Sequence, residues 1–228
     1  MSALTSHSAS GLEARARQSL GRSGDAIYRM VAEVITEAGA TGGTLVDVGC
    51  GSGNLLSYMG GRFSRLVGVD AVRYGGLRAE AEFAQADLNS AGWPLPEACA
   101  DVVAAVEVIE HLENPRAFVR ELVRLAKPGG LVVVTTPNQQ SLLSLLTLLL
   151  KGRHAAFQDV DYPAHLTALL EVDLRRIAAE CGLEGVRVRY SHSGRVVLTP
   201  WHYPRPLPLV APRAFSDNVL LAGRRPLG

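Results

Sequence analysis

Cysteine is scarce in this chain, and neither sign of charge is in excess. The three cysteines, Cys50, Cys99 and Cys181, are odd in number, scattered and without a CxxC pair. That excludes a disulfide framework and a thiolate zinc site, and it fits reduced thiols in a cytosol-like compartment, so a cytoplasmic location is expected. Lys and Arg number 23 against 22 Asp and Glu, a net charge of +1. Without a basic excess, no nucleic-acid partner is expected. No long apolar run is present either. The most apolar stretch, residues 142–150, falls far short of the roughly 20 residues of a spanning helix. The first 24 residues lack the apolar segment of a secretory signal, and no internal repeat is found. What is present is a 47% apolar composition, enough for a full core. The length suits one domain. The expectation is a frayed tail at 1–24, with a short helix around 12–20, and a single domain at 25–228.

The most informative stretch is Leu45-Val46-Asp47-Val48-Gly49-Cys50-Gly51-Ser52-Gly53-Asn54. An apolar β-branched run, an acid and three alternate glycines read as a buried parallel strand, a tight turn and a helix N-terminus. Without a Cβ on Gly49, Gly51 and Gly53, a ligand can lie directly on the backbone. The dinucleotide fingerprint G-x-G-x-x-G fails at Asn54. Asp47 also sits where a carboxylate would meet a pyrophosphate unfavourably, and it suits a ligand with an ammonium group and no phosphate. A second apolar run ends in Asp70, about 20 residues past the loop, where an acid accepts hydrogen bonds from ribose hydroxyls. A third acid, in Asp87-Leu88, follows the next short run. Cys50, inside the loop, reads as a small packed residue rather than a nucleophile.

The glycine motif and the three acids after three strands resemble class I S-adenosylmethionine-dependent methyltransferases. S-adenosylmethionine carries an ammonium, a sulfonium and one carboxylate, as Asp47 requires. The resemblance implies a Rossmann-like α/β fold: a mostly parallel seven-stranded sheet, helices on both faces and an antiparallel last strand. It implies cofactor contacts from Asp47, Gly49, Gly51, Gly53, Asp70, Ala71 and Glu107. It also implies that Asp87 takes the adenine amine while Leu88 packs on the ring.

Periodicity supplies the remaining elements. A helix capped by Asp25 is expected through residue 39, with Ile27, Val31, Val34 and Ala38 along one face. Strands are expected at 45–48, 66–70, 83–86, 101–108 and 131–136, and later at 186–190 and 219–222. Helices are expected at 54–59, 74–82 and 171–181, and another from Asn114-Pro115, ended by Lys127-Pro128-Gly129-Gly130. Residues 199–213 read as a long Pro-rich loop.

The fourth strand runs into Glu107-Val108-Ile109-Glu110-His111, a dense polar cluster. It resembles the E-x-x-E-H segment of the ubiquinone-biosynthesis O-methyltransferases and the small-RNA 2′-O-methyltransferases. In those, a later histidine joins it to hold a divalent cation, and here that histidine would be His165. The resemblance makes Glu107, Glu110, His111 and His165 a candidate site for Mg²⁺ or Zn²⁺, and His111 and His165 candidate catalytic groups. A competing reading has the histidine packing on the cofactor or acting as a base, with no metal. Asp159 and Asp161 are possible stand-ins beside His165, whereas His154, His192 and His202 read as surface or loop residues.

Residues 139–166 read as a lid-like insertion. Its apolar part, 141–153, has three readings: a helix packed with its leucine face inward, a lid over an apolar acceptor, or a membrane-surface contact with Lys151 and Arg153 at the head groups. Trp201, His202 and Tyr203 are candidates for lining the acceptor pocket. The function expected is methylation of a small-molecule hydroxyl, phenolic, quinone-like, sugar or another natural product. Small-molecule N-methylation and a silent cofactor-binding scaffold are the alternatives.

Overall fold

The computed structural model describes residues 23–197 and 199–228; most of the expected tail, with its short helix around 12–20, lies outside them. Helix α1 (Asp25–Glu37) starts after Gly24, so Asp25 is its first residue and not its cap. Its buried stripe is Ile27, Tyr28, Met30, Val31 and Ile35; Val34 and Ala38 are only partly covered. Strand β1 (Thr44–Val48) is buried along its whole length, as a central parallel strand covered on both faces must be. Helix α2 (Asn54–Tyr58) follows the glycine loop, then β2 (Arg65–Asp70) and β3 (Glu82–Gln85). No helix forms at 74–82: the segment is turns, broken by Gly75 and by Gly76 at φ +112°.

Strand β4 (Ala100–Val106) leads through a single 3₁₀ turn, Ile109–His111, to helix α3 (Pro115–Leu125). The Asn114 side chain accepts the Ala117 N–H at 3.0 Å, and Pro115 fills the first turn, where its missing N–H costs nothing. The Lys127–Gly130 stretch is not the helix stop that its Pro-Gly-Gly suggested. Strand β5 (Ala126–Pro137) has already begun there. The register against β4 shifts between Ala100 and Val102, and Gly129 at φ +75° takes up the irregularity. The Gly129 N–H donates to the Arg225 carbonyl at 2.9 Å, and the Arg225 N–H to the Gly130 carbonyl at 3.0 Å.

Helices α4 (Leu142–Lys151) and α5 (Glu171–Glu180) precede β6 (Glu184–Tyr190). The Pro-rich segment is not wholly loop: it holds two short helices, α6 (Pro206–Val210) and α7 (Pro212–Phe215), each with proline in its first turn. Strand β7 (Asn218–Arg224) completes the sheet.

The seven strands lie in the order β3-β2-β1-β4-β5-β7-β6. Only β7 runs antiparallel to its neighbours, β5 and β6. Alternate residues of the central strands feed two cores. Val46, Val103 and Val132 join Phe118, Leu122 and Ile177 on one face. Leu45, Val102 and Val133 join Ile27, Val31 and Leu55 on the other. This is the three-layer Rossmann-like α/β architecture expected. The order reverses between β1 and β4, and the carboxyl ends of these two strands flank the crevice where such sheets bind ligands.

Candidate active site

Asp47 is buried at 2% exposure. Its strand neighbours in register are Gly68 and Ala104, which leave room for the carboxylate. Burial, and secondarily the charge of Asp70, pushes its pKa up to about 8. No described residue donates a hydrogen bond to that side chain, so the described residues leave it uncompensated. A buried carboxylate in that condition is stabilised by an incoming cation.

The loop after it turns through left-handed backbone at Gly49 (φ +72°), Gly51 (φ +49°) and Gly53 (φ +78°). A Cβ at Gly49 would lie 2.3 Å from Val108 Cγ2, and one at Gly53 would lie 2.9 Å from Leu77 Cδ1. Gly49→Ala is therefore expected to destabilise the fold by roughly 2–4 kcal/mol, from the left-handed backbone plus overpacking. Gly61 has a similar φ of +78° but open space around it, so Gly61→Ala costs only the backbone part, about 1 kcal/mol. Urea midpoints of the two variants check the difference.

Asp70 at the end of β2 accepts the Gly51 N–H at 2.9 Å and the Val72 N–H at 3.3 Å. Burial raises its pKa, and those amides oppose the rise. Its neighbour Ala71 gives its carbonyl to Gln85 Nε2 at 2.9 Å. Asp87 is exposed and caps a turn, accepting from the Asn89 N–H at 3.0 Å and Ser90 Oγ at 3.2 Å. Leu88 is half-buried against the core. Cys50 is buried, and burial with the charges of Asp47 and Asp70 drives its thiol up, away from the thiolate. It behaves as a packing residue.

Past β4 the chain enters Glu107 with φ +55°, a strained value for a non-glycine residue. Its carboxylate is clamped: Thr135 Oγ1 donates to Oε1 at 2.8 Å and Asn218 Nδ2 to Oε2 at 2.8 Å. The Glu107 N–H in turn donates to Thr135 Oγ1 at 2.9 Å. Burial and the nearby Glu110 hold its pKa well above the usual carboxylate range.

Glu110 is almost fully buried at 1% exposure. Thr136 Oγ1 donates to Oε2 at 3.1 Å, while Oε1 has no hydrogen-bond partner and lies 4.0 Å from His111 Nε2. Burial raises this carboxyl to about 8. His165 is delivered by backbone pinning. The Leu166 and Thr167 N–H groups both donate to the Glu110 carbonyl, at 2.8 and 3.0 Å. Thr167 Oγ1 donates to the Leu112 carbonyl at 2.8 Å. The two imidazoles meet edge to face with centroids 4.7 Å apart.

Each histidine has Nδ1 against a backbone carbonyl, Ala164 for His111 at 2.9 Å and Ala156 for His165. A carbonyl only accepts, so His165 carries its proton on Nδ1 and keeps the Nε2 lone pair, whereas the His111 ring faces a second carbonyl, that of Glu107, as well. Burial lowers both pKa values, with the carbonyl contacts opposing. Both rings are therefore neutral at pH 7.

Glu110, His111 and His165 each offer an atom within 4.8 Å of the other two. One orphaned carboxylate oxygen and two neutral imidazoles fit a divalent cation, and the donors alone do not choose between Mg²⁺, Mn²⁺, Fe²⁺ and Zn²⁺. The fourth candidate ligand, Glu107, stands beside them with its carboxylate turned to Thr135 and Asn218. The flanking acids are engaged elsewhere: Asp159 pairs with Arg153, and Asp161 Oδ2 accepts the Gln158 N–H at 2.8 Å. His154 meets Ser144 Oγ at 3.0 Å and His192 meets the Pro208 carbonyl at 3.0 Å. Tyr203 packs on Phe215, whereas Trp201 is exposed.

Sequence reading missed Thr135, Thr136 and Asn218. Two hydroxyls closing an apolar buried strand were a signal for the threonines; nothing local marked Asn218.

Comparison with known proteins identifies the family of the chain. Residues 22–188 match a family model described as a methyltransferase domain. A relative from Mycolicibacterium smegmatis, named a probable S-adenosylmethionine-dependent methyltransferase, is 35% identical over 43% of this chain and 39% of its own length. A ubiquinone biosynthesis O-methyltransferase from Thiobacillus denitrificans is 31% identical over 66% of this chain and 68% of its own. The chain spans less than half the length of the first curated relatives it matches, 39% and 47%. Among solved structures, an S-adenosylmethionine-dependent methyltransferase from Mesorhizobium loti superposes with a TM-score of 0.60 at 16% identity, over 89% of this chain and 99% of that one. At that identity the likeness is one of fold. The chain belongs to the methyltransferase-domain family, with the class I S-adenosylmethionine-dependent fold.

Proposed function

We propose that the chain methylates a hydroxyl group of a small molecule, using S-adenosylmethionine. The observation that carries this reading is the orphaned Oε1 of buried Glu110 beside two neutral imidazoles, that of His165 with its Nε2 lone pair free. S-adenosylmethionine supplies an electrophilic methyl on a positively charged sulfur. Transfer to an acceptor is an in-line displacement that needs positioning above all. The glycine loop gives the ligand close approach to the backbone, and Asp47 answers its ammonium. The harder requirement is a nucleophilic oxygen at neutral pH. Neutral His165 or His111 takes the hydroxyl proton. A divalent cation held by Glu110, His111 and His165 would add Lewis acidity that favours the ionised hydroxyl. Thr136 keeps Glu110 in place, and the Thr135–Asn218 clamp fixes Glu107 next to it. The curated relatives named as ubiquinone biosynthesis O-methyltransferases support oxygen over nitrogen as the acceptor.

The test is label transfer from methyl-labelled S-adenosylmethionine to a panel of phenols, quinols, sugars and amines. Transfer to oxygen is expected, and label found only on amines sinks the hydroxyl reading. Chelation with excess EDTA should lower turnover at least tenfold, and Mg²⁺ or Zn²⁺ should restore it. Full turnover in EDTA would leave the imidazoles as unaided bases and reject the cation.

A further inference from the structure

Leucines that follow the parallel strands fall into two kinds. Those of α4, after β5, face outward: only Ser144 of that helix is buried, and Leu149 and Leu150 are exposed at 80% and 71%. The reading of this helix as packed with its leucine face inward is thus corrected. Leu77, in the turns between β2 and β3, points inward instead, and two glycines make its seat. A Cβ at Gly53 would lie 2.9 Å from Leu77 Cδ1. One at Gly68 would lie 3.4 Å from the same atom and 2.7 Å from Cys50 Sγ. Local sequence delivers the leucine there. Gly76 passes beside the Ser52 carbonyl at φ +112°, a backbone that a side chain would strain. Arg78 then lies over Gly60, just past α2, and pairs with Glu80.

The place of Gly68 gives this packing a consequence. Gly68 pairs in register with Asp47, and side chains paired in that way point to the same face of the sheet. Asp47 stands two residues past Leu45, so the face is the one that carries Ile27, Val31 and Leu55, and Leu77 packs against the same core. The side chain missing at Gly68 leaves a gap beside the Asp47 carboxylate, and Cys50 and Leu77 close it. The ionisable groups around Asp47 are Asp70 on β2, Cys50 in the loop, Tyr28 on α1, and Arg73 and Arg78 beside Leu77; β4 offers Ala104 and no charge. Of these, Asp70 acts on the carboxyl, and no cation among the described residues offsets it. Water is then the remaining stabiliser of an ionised Asp47 in the ligand-free chain, and Leu77 stands in its way. A dry carboxylate gains more from an incoming ammonium than a hydrated one, because the pair meets at lower dielectric.

We propose that Leu77 is a positioning residue for the cofactor: seated against Gly53 and Gly68, it shuts water out from Asp47 and so sets how tightly that carboxylate holds the ligand's ammonium. This rests on the proposed pairing of Asp47 with the ammonium. It does not depend on which acceptor is methylated or on a cation at Glu110, His111 and His165.

Calorimetric titration of the full chain with S-adenosylhomocysteine across pH tests it. In Leu77→Ala water reaches Asp47, so the carboxyl ionises at lower pH while its hold on the ammonium weakens. Affinity should fall about tenfold at about pH 8.5 and less than about twofold at about pH 6, one unit of pKa being a factor of ten. A defect that merely loosens the loop lowers affinity equally at both. Leu77→Met refills the gap and should restore the parent's values. Cys50 gives a readout that needs no ligand. Its labelling by a maleimide, followed by peptide mass, should quicken about tenfold in Leu77→Ala and not in Leu77→Met. Circular dichroism and melting curves establish that each variant is folded; should Leu77→Ala unfold, Leu77→Val carries the same test with smaller changes. Equal loss at both pH values, or parent affinity and parent labelling in the folded variant, overturns the seal and leaves Asp47 in place. A parent affinity that is flat with pH removes Asp47 from the site, and the proposal with it.

Discussion

Asp47→Asn is expected to weaken S-adenosylhomocysteine binding by about 30- to 1,000-fold, while the ligand-free protein becomes more stable. The first effect follows from losing one member of a buried charge pair, worth about 2–4 kcal/mol. The second follows from the direction of the pKa shift. The Asp47 carboxyl titrates near 8 in the folded chain because burial opposes its charge, against about 3.9 when unfolded. Between those values the folded state holds a proton that the unfolded state has released. Stability of the free protein therefore falls as pH rises from about 4 to about 8, and is level beyond. Asparagine removes that fall, so the variant melts several degrees higher at pH 8. Ligand binding runs the other way. An ammonium favours the ionised carboxylate, so binding expels the proton and affinity rises close to tenfold per pH unit below about 8. That slope should vanish in Asp47→Asn. Calorimetry in buffers of different ionisation heat reads both slope and affinity. A variant that binds as tightly as the parent would remove Asp47 from the ligand site.

Glu110→Gln is expected to lower turnover by about 10²- to 10⁴-fold, the range of a lost acid–base or cation-holding group. Ligand affinity should stay within about threefold, because the glycine loop and Asp47 are untouched. His165→Ala should match it, and the double variant should be little worse than either single one, since groups acting as a unit lose their effect together. The variants separate two roles for the cluster. If nucleoside affinity falls in step with turnover, the three residues hold the cofactor rather than activate the acceptor.

How much of this was legible beforehand follows the range of the interactions. The glycine loop is written locally: an apolar run, an acid and glycines at positions of positive φ, so its place after β1 could be read directly. The same holds for α3, where Asn114-Pro115 announces cap and first turn. Residues 74–82 misled because scattered apolar residues suggested a helix, while Gly75 and Gly76 favoured turns and Leu77 was needed against the loop. Lys127-Pro128-Gly129-Gly130 looked like a helix stop, but edge pairing with Ala100 and Arg225 recruited it into β5. The site divides in the same way. Glu110 and His111 are neighbours in sequence and stood out. The Asn218 clamp joins residues 111 apart, and the Ala156 and Ala164 carbonyls that set the imidazole tautomers depend on how 154–167 folds back, which no local pattern encodes.

The central claim is that Asp47 and the glycine loop after β1 suit a cationic sulfur nucleoside and not phosphates. Thermal melting of the full chain with S-adenosylhomocysteine and, separately, with NAD tests this most directly. At a hundred times its dissociation constant a ligand adds about 2.7 kcal/mol of stability, a rise of about 5–10 °C for a chain of this size. The account predicts that rise with S-adenosylhomocysteine and none with NAD. A rise with NAD alone, or with neither for folded protein, would contradict it.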